Sequence, residues 1–406
     1  MKVNRTIYIF YTTLCVMIMP GSNGSIYGFH HNPLDEPVGG IVRIINILKI
    51  MSRIFGSNII QYTLSNDGLE RNIDGITEKH IRKPFPFAKI KAGYLCMFPF
   101  TIASSLRSEL LSSLTECSIM IFEQPFMGYA LSKTLDISNN TLKIYDAHNV
   151  EVNYWRPYLN GPVKKRLLRR VRTVEQYIVD FVDYIFVTSS EEARIFREEY
   201  SAVSEKMVMV PNGVDTTSLK PLDEETREVE RNSRLKLGYS KYVVFIGSNV
   251  KANIDAAEWI VNYLAPRLPH ICFIIIGAVC RVLENSKYPT NIKLLGVLPI
   301  KEKNMLLRLA DAAINPVVIG AGTSLKMLEY LAAGLPIITT NVGARGLDLI
   351  NYHDSIVCEL EKIEENILEL FSNDSLRLTL AKNARIKAQG FDWKTIEKNI
   401  KLRLRI

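Results

Sequence analysis

None of the six cysteines, Cys15, Cys96, Cys117, Cys272, Cys280 and Cys358, stands at metal-ligand spacing from another. That argues against both a zinc site and a disulfide framework, and it fits a chain kept in a reducing compartment. There is no low-complexity tract, and with 47% hydrophobic and 23% charged residues the composition is that of a folded globular protein, not a disordered or polytopic membrane one. The apolar run from Ile7 to Met19 has 13 residues, too few to span a bilayer as a helix. Lys2 and Arg5 precede it and Pro20-Gly21-Ser22 follow, the layout of a signal peptide without a convincing Ala-x-Ala site. Two readings of residues 1–22 stay open: an apolar extension that targets or associates with a membrane, or the first strand of the first domain. Ser25 to His31 is the preferred candidate for that strand. A Gly-x-Gly-x-x-Gly turn directly after a first strand is also missing, so a dinucleotide-dependent oxidoreductase, one alternative for such a chain, lacks its signature.

What is present points to two α/β domains. At 406 residues the chain exceeds what one core usually fills. Gly39-Gly40 opens a helical pattern carried by Ile44, Ile45, Leu48, Met51 and Ile54. Strand-length apolar runs at Ile119–Phe122, Leu142–Tyr145 and Tyr184–Val187 alternate with helical patterns, notably Lys165–Val182. A second alternating series begins at Tyr242–Ile246 and continues through Cys272–Ile276, Ile292–Leu295, Ala312–Asn315 and Pro336–Thr340. Alternation of this kind predicts parallel sheets covered on both faces. The expected organisation is an N-terminal Rossmann-like domain over 23–210, a linker over 211–235, a C-terminal Rossmann-like domain over 236–390, and a helix over 391–406 able to cross back to the first domain. Ligands of such sheets bind at the carboxyl ends of the strands.

The formal charge of +8 favours anionic partners, and it is concentrated at Lys164, Lys165, Arg166, Arg169, Arg170 and Arg172. Interleaved Leu167, Leu168 and Val171 make this a basic helix with an apolar stripe, which reads either as a solvated face or as a surface resting on anionic lipid. No nucleic-acid reading module stands beside it, so nucleic acid is not an expected partner.

The segment with most chemical content runs from Asn315 to Pro336. Gly320, Ala321 and Gly322 let a backbone loop approach a ligand closely, Thr323 and Ser324 are able to cap the helix beginning at Leu325, and the first helix amides make a site for an anion such as pyrophosphate. Lys326 and Glu329, three residues apart, share a helix face: the lysine faces phosphate or pairs with Glu329, and the carboxylate is suited to ribose hydroxyls.

These residues resemble the donor-binding motif of glycosyltransferase family 4, retaining enzymes of GT-B fold, in the branch whose loop reads Gly-x-Gly-Thr-x-Leu-Lys. Gly320, Gly322, Thr323, Leu325, Lys326, Leu328, Glu329, Ala332, Gly334 and Pro336 match, and Ser324 replaces a common Arg. The resemblance extends through Val210–Asp215, Phe245–Ser248, Asn253–Ala257, Leu295–Pro299 and Phe391–Trp393. It implies a GT-B fold of two tandem doubly wound domains with a cleft between them. It also implies transfer of a sugar from a nucleotide-sugar donor to a hydroxyl of a glycan or lipid-linked acceptor, with retention and without a metal or other cofactor. Donor binding falls by this resemblance on Gly39, Gly40, Gly247, Ser248, Lys251, Gly320, Gly322, Thr323, Ser324, Leu325, Lys326 and Glu329, and catalysis on His148, Lys326 and Glu329. Two departures stand out: Ala321 where many members carry the first Glu of a Glu-x7-Glu pair, and Ser248 where many carry an Arg, leaving Lys251 as the nearest cation. These departures keep a non-catalytic nucleotide-sugar-binding protein as the other alternative. His148 matches a histidine at the strand end near sugar and acceptor, and Glu123, Asp146 and Glu151 are weaker acceptor candidates. The expected location is the cytoplasm, with peripheral contact at the cytoplasmic face of an anionic membrane.

Overall fold

The computed structural model describes residues 25–30, 39–65, 70–82, 117–156, 159, 161, 164–235, 238–284, 287–320 and 322–404. The apolar segment over 1–22 and Ala321 lie outside these residues. The first sheet contains β1 (Ser25–His30), β2 (Ile59–Ser65), β3 (Glu70–Ile73), β4 (Ile76–Arg82), β5 (Cys117–Phe122), β6 (Leu142–Ala147), β7 (Tyr184–Val187) and β8 (Met207–Met209), in the order β3-β4-β2-β1-β5-β6-β7-β8. All its pairings are parallel except β3 with β4, a hairpin that the alternating pattern did not anticipate. Its turn is Asp74-Gly75, both at positive φ, the conformation that Asp-Gly hairpins favour.

The second sheet comprises β9 (Lys241–Ile246), β10 (Ile271–Ile276), β11 (Ile292–Leu294), β12 (Ala312–Asn315), β13 (Ile337–Thr339) and β14 (Ile356–Val357), in the order β11-β10-β9-β12-β13-β14, parallel throughout. Chain order reverses between β1 and β5 in one sheet and between β9 and β12 in the other, and at such switch points the strand ends leave a crevice for ligand.

The central strands are apolar on both faces because helices cover both. In β5, Met120 and Phe122 pack with the helices Pro125–Thr134 and Lys164–Phe181, whereas Ile119 and Ile121 pack beneath the helix Gly39–Phe55. In β9, Val243 and Phe245 face one apolar cluster and Tyr242 and Val244 the other. The C-terminal helix Trp393–Leu404 buries Ile396, Ile400 and Leu404 among Ile44, Ile47 and Leu48 of the first domain, and Arg53 Nη2 reaches Glu397 Oε2 at 2.7 Å.

The charged stretch inside 211–235, expected as linker, is in part a regular helix, Glu224–Arg234. Asp223 caps it by accepting from the Thr226 amide at 2.8 Å. Arg227 and Arg231 then reach the buried carboxylate of Asp311 at 3.0 and 2.9 Å, which docks the helix on the second domain. The polar composition that marks a linker here serves a buried ion pair.

Candidate active site

The residues singled out in the first domain all stand at carboxyl ends of strands around its switch point. Glu123 directly follows β5, Asp146 lies in β6 and His148 just beyond it, and Gly39-Gly40 begin the helix after β1. Glu123 and Asp146 are fully buried and the His148 side chain is about one-tenth exposed. His148 Nε2 lies 3.4 Å from Glu123 Oε2 and 3.4 Å from Asp146 Oδ2. Gly40 backs the imidazole so closely that an ideal Cβ there would stand 3.2 Å from His148 Nδ1.

Arg43, one turn into the same helix, completes the cluster. Its Nε donates to both Asp146 oxygens at 3.1 and 3.0 Å, Nη2 also donates to Asp146 Oδ1, and Nη1 donates to the Val210 carbonyl at 2.8 Å. Sequence reasoning missed Arg43, although a lone arginine between Ile41, Ile44 and Ile47 on a core-facing helix was the available signal. Burial opposes the charged form of Asp146, yet Arg43 and His148 outweigh it and hold the carboxyl well below the usual range. Burial likewise opposes imidazolium, but hydrogen bonds to Asp146 and Glu123 raise His148 to about 9. Burial dominates at Glu123 and lifts its carboxyl to about 8. Within the cluster, burial thus favours the neutral form of Glu123, while Arg43 and His148 favour the charged form of Asp146 and hydrogen bonds favour imidazolium at His148. Glu123, Asp146 and His148 form the one group of metal-ligand spacing among the described residues. Arg43 already occupies Asp146 from two sides.

Glu151 does not line an open surface. It is 1% exposed, its Oε2 accepts from Trp155 Nε1 at 2.8 Å, and burial together with Glu175 lifts its carboxyl to about 8.

In the second domain the glycine loop at 320–324 follows β12 and leads into the helix Leu325–Ala332. Ser324 occupies the N-cap position without making a side-chain cap bond, and the Thr323 hydroxyl is buried without a partner, so the capping expected of these two residues is not formed. Gly320 and Gly322 have φ of 150° and 65°, a region that only glycine enters without strain. Tyr330, on the inner face of the helix, fixes the end of β9 by accepting from the Ile246 amide at 2.7 Å.

Lys326 and Glu329 do not pair with each other. Lys326 Nζ donates to Asn253 Oδ1 at 2.6 Å and sits 4.3 Å from the centre of the Phe245 ring; burial first, then nearby Arg345, lowers it to about 7. Glu329 instead accepts from Lys303 Nζ at 2.5 Å. Asn253 also donates through Nδ2 to Ser248 Oγ at 2.9 Å, so it ties Lys326 to the loop after β9. The Gly247 amide is bonded to the Ile276 carbonyl at 2.8 Å, and Lys251 points outward to Asp255 at 2.9 Å. Asn253, within a segment that carries the resemblance, and Lys303, which no local pattern marked, thus contact the predicted site residues Lys326 and Glu329.

The two half-sites face each other. An ideal Cβ on Gly322 would stand 2.1 Å from Asn149 Oδ1 and 3.6 Å from the His148 carbonyl, and one on Gly346 would stand 3.7 Å from Ser189 Cβ. The geometry brings together a glycine loop leading into a helix N-terminus, suited to a diphosphate, and a buried acid-histidine cluster across an interdomain cleft.

Residues 240–373 match the family model described as Glycosyl transferases group 1. An uncharacterised glycosyltransferase of Methanocaldococcus jannaschii is 28% identical over 123 residues, which cover 29% of this chain and 35% of that protein, so the match spans about a third of the relative's length. Among solved structures, sucrose-phosphate synthase from Thermosynechococcus elongatus superposes with a TM-score of 0.75 at 15% identity, covering 94% of this chain and 98% of the other. Anabaena HepE in complex with UDP-glucose gives 0.67 at 14% identity over 94% and 100% of the two chains. WaaG, a glycosyltransferase involved in lipopolysaccharide biosynthesis, gives 0.64 at 14% identity over 92% and 98%. The fold is GT-B, and the family match together with the fold supports a glycosyltransferase.

Proposed function

We propose that the chain is a retaining glycosyltransferase of family 4 that moves a sugar from a nucleotide-sugar donor to a hydroxyl of a glycan or lipid-linked acceptor. The observation that carries this reading is the apposition of Gly322 in the donor loop to Asn149, beside His148. A diphosphate held by the loop amides and Lys326 would place the anomeric carbon at the mouth of the His148 cluster. The complexes of HepE with UDP and UDP-glucose favour a uridine nucleotide as the first donor to test.

As the bond to the anomeric carbon breaks, negative charge grows on the leaving diphosphate. The amides at 323–325 and the Lys326 ammonium stabilise that charge where it develops. The acceptor hydroxyl attacks from the face the diphosphate leaves, and the departing phosphate takes its proton. This route needs placement more than a strong nucleophile, and domain closure supplies both placement and exclusion of water. Imidazolium at His148 orients the sugar or acceptor, with Glu123 able to donate as a neutral acid. Glu329 holds the ribose once Lys303 yields.

The deciding experiment is a thermal-shift screen of nucleotide sugars followed by a transfer assay. A ligand that binds only the folded state raises the midpoint, and no shift with any nucleotide sugar would sink the donor assignment. His148→Ala with full turnover would remove that residue's role, as would Glu329→Ala with unchanged donor affinity. Undiminished transfer in EDTA is the outcome expected for catalysis without a metal.

The basic helix supports peripheral contact with an anionic membrane from the cytoplasmic side. Lys165, Arg166, Arg169 and Arg172 are exposed on it, while Val171, Val174 and Ile178 face the core. No helix among the described residues is long and apolar enough to cross a bilayer. Failure to sediment with anionic liposomes at low salt would remove this proposal.

A further inference from the structure

One carboxylate outside the cleft holds both ends of the segment that presents the first-domain cluster. Glu175 projects from the helix Lys164–Phe181 and is fully buried. Its Oε1 accepts from the Tyr145 hydroxyl at 2.9 Å and from the Glu151 amide at 3.0 Å; its Oε2 accepts from the same amide at 3.1 Å and from the Tyr200 hydroxyl at 2.6 Å. Tyr145 immediately precedes Asp146, and Glu151 opens the short helix just beyond His148, Asn149 and Val150. The Glu151 amide is one of the helix-end donors that has no partner within its own helix, and Val150 at the N-cap offers no side-chain oxygen, so the bond must come from elsewhere.

Stability alone is a poor reason for such a group. A buried carboxylate is costly to desolvate, and apolar side chains of similar volume often serve the core as well or better. What an apolar side chain would not supply is direction: four hydrogen bonds to one rigid group specify where the intervening residues stand.

We propose that Glu175 is the positioning residue of this site, fixing Asp146, His148 and Asn149 against the donor loop by gripping Tyr145 and the Glu151 amide together. Its kinetic consequence rests on the glycosyl-transfer reading; its structural consequence does not. The test compares Glu175→Gln, which keeps the shape and one acceptor oxygen but turns the other into a donor and removes the charge, with Glu175→Leu, which fills the space without any polar atom. Tyr200→Phe loses one hydroxyl at a buried position and serves if the leucine variant does not fold. The readouts are the His148 imidazole titration by NMR, the calorimetric affinity for uridine diphosphate, and kcat.

In Glu175→Leu, His148 is expected to titrate at least about one pH unit closer to the ordinary histidine value near 6.5. Its kcat is expected to fall on the order of 100-fold, since displacement by about an ångström costs that much, while diphosphate affinity stays within about twofold. Glu175→Gln, whose remaining oxygen still accepts from the Glu151 amide, restores part of both, and Tyr200→Phe falls between Glu175→Leu and the wild type. A lower melting temperature with unchanged His148 titration and kcat in Glu175→Leu, or in Tyr200→Phe if only that variant folds, overturns the proposal. If the wild-type protein transfers no sugar, the glycosyl-transfer reading fails and the His148 titration decides the role of Glu175 alone.

Discussion

Gly322 of the second domain and Asn149 of the first lie so close that no side chain fits between them: an ideal Cβ on Gly322 would stand 2.1 Å from Asn149 Oδ1. The glycine also sits at φ 65°, so two independent reasons exclude a larger residue. Gly322→Ala is expected to hold the domains apart and reduce kcat by about 10- to 100-fold, as small misplacements in oriented sites do. Asn149→Ala in the Gly322→Ala background removes the obstructing amide and should recover part of the loss. If both single and double variants turn over at the wild-type rate, this contact plays no part in closure.

On the proposed function, Lys326 would link donor binding to pH. Its ammonium is destabilised by burial and by Arg345 until it titrates near 7, and a bound diphosphate would restore the charge. Donor affinity should therefore be higher at pH 6 than at pH 8, and calorimetry at pH 8 in buffers of different ionisation enthalpy should show uptake of up to about one proton. Lys326→Met should abolish that uptake and weaken binding by about 1.5–3 kcal/mol, the range for a charge-assisted hydrogen bond. The sign for stability follows from the same shift: between about pH 7 and 10.5 the unfolded chain holds a proton that the folded chain has released. The Lys326 contribution to unfolding free energy thus rises with pH across that window, and Lys326→Met flattens it.

Arg43 and Asp146 form a buried pair whose partners are both at most 1% exposed. Arg43→Met leaves His148, among the described residues, as the only nearby cation beside the buried Asp146 carboxylate and is expected to cost about 3–5 kcal/mol in urea unfolding at pH 7. The folded-state carboxyl titrates below its unfolded value, so the pair's contribution is present above about pH 4 and fades as pH falls further. A loss that persists undiminished at pH 3 would assign the effect to packing instead.

Ile400 is fully buried among residues of the first domain although it belongs to the C-terminal helix. Ile400→Ala should cost about 2–5 kcal/mol, the range for such truncations in a core. The exposed neighbour Leu402 is 67% accessible, and Leu402→Ala should stay within about 0.5 kcal/mol. Equal effects at the two positions would mean that the helix does not dock there in solution.

What the sequence determined by itself is what depends on neighbours along the chain. Strand-length apolar runs such as Ile119–Phe122 and Tyr184–Val187 became β5 and β7, the periodic run from Ile41 became a helix to Phe55, and the small residues at 320 and 322 marked a loop entering a helix. Period and turn chemistry are local, so they are legible without knowing where elements meet. The hairpin over β3 and β4 escaped notice because its polar edge lacks an apolar alternation, and the helix Glu224–Arg234 because its apolar content is low.

Tertiary structure decided who partners whom. Asp146 is held by Arg43 from 103 positions away, Lys326 by Asn253 from 73, and Glu329 by Lys303 from 26, where helix spacing left Lys326 either to face phosphate or to pair with Glu329. A buried charge takes the partner that packing brings within reach in a medium of low dielectric, and a neighbour on the same helix face loses to it when that face is crossed by another element. The same packing sets the titration of His148, Glu123 and Lys326, because desolvation and opposing charge exist only once the two sheets and their helices are assembled.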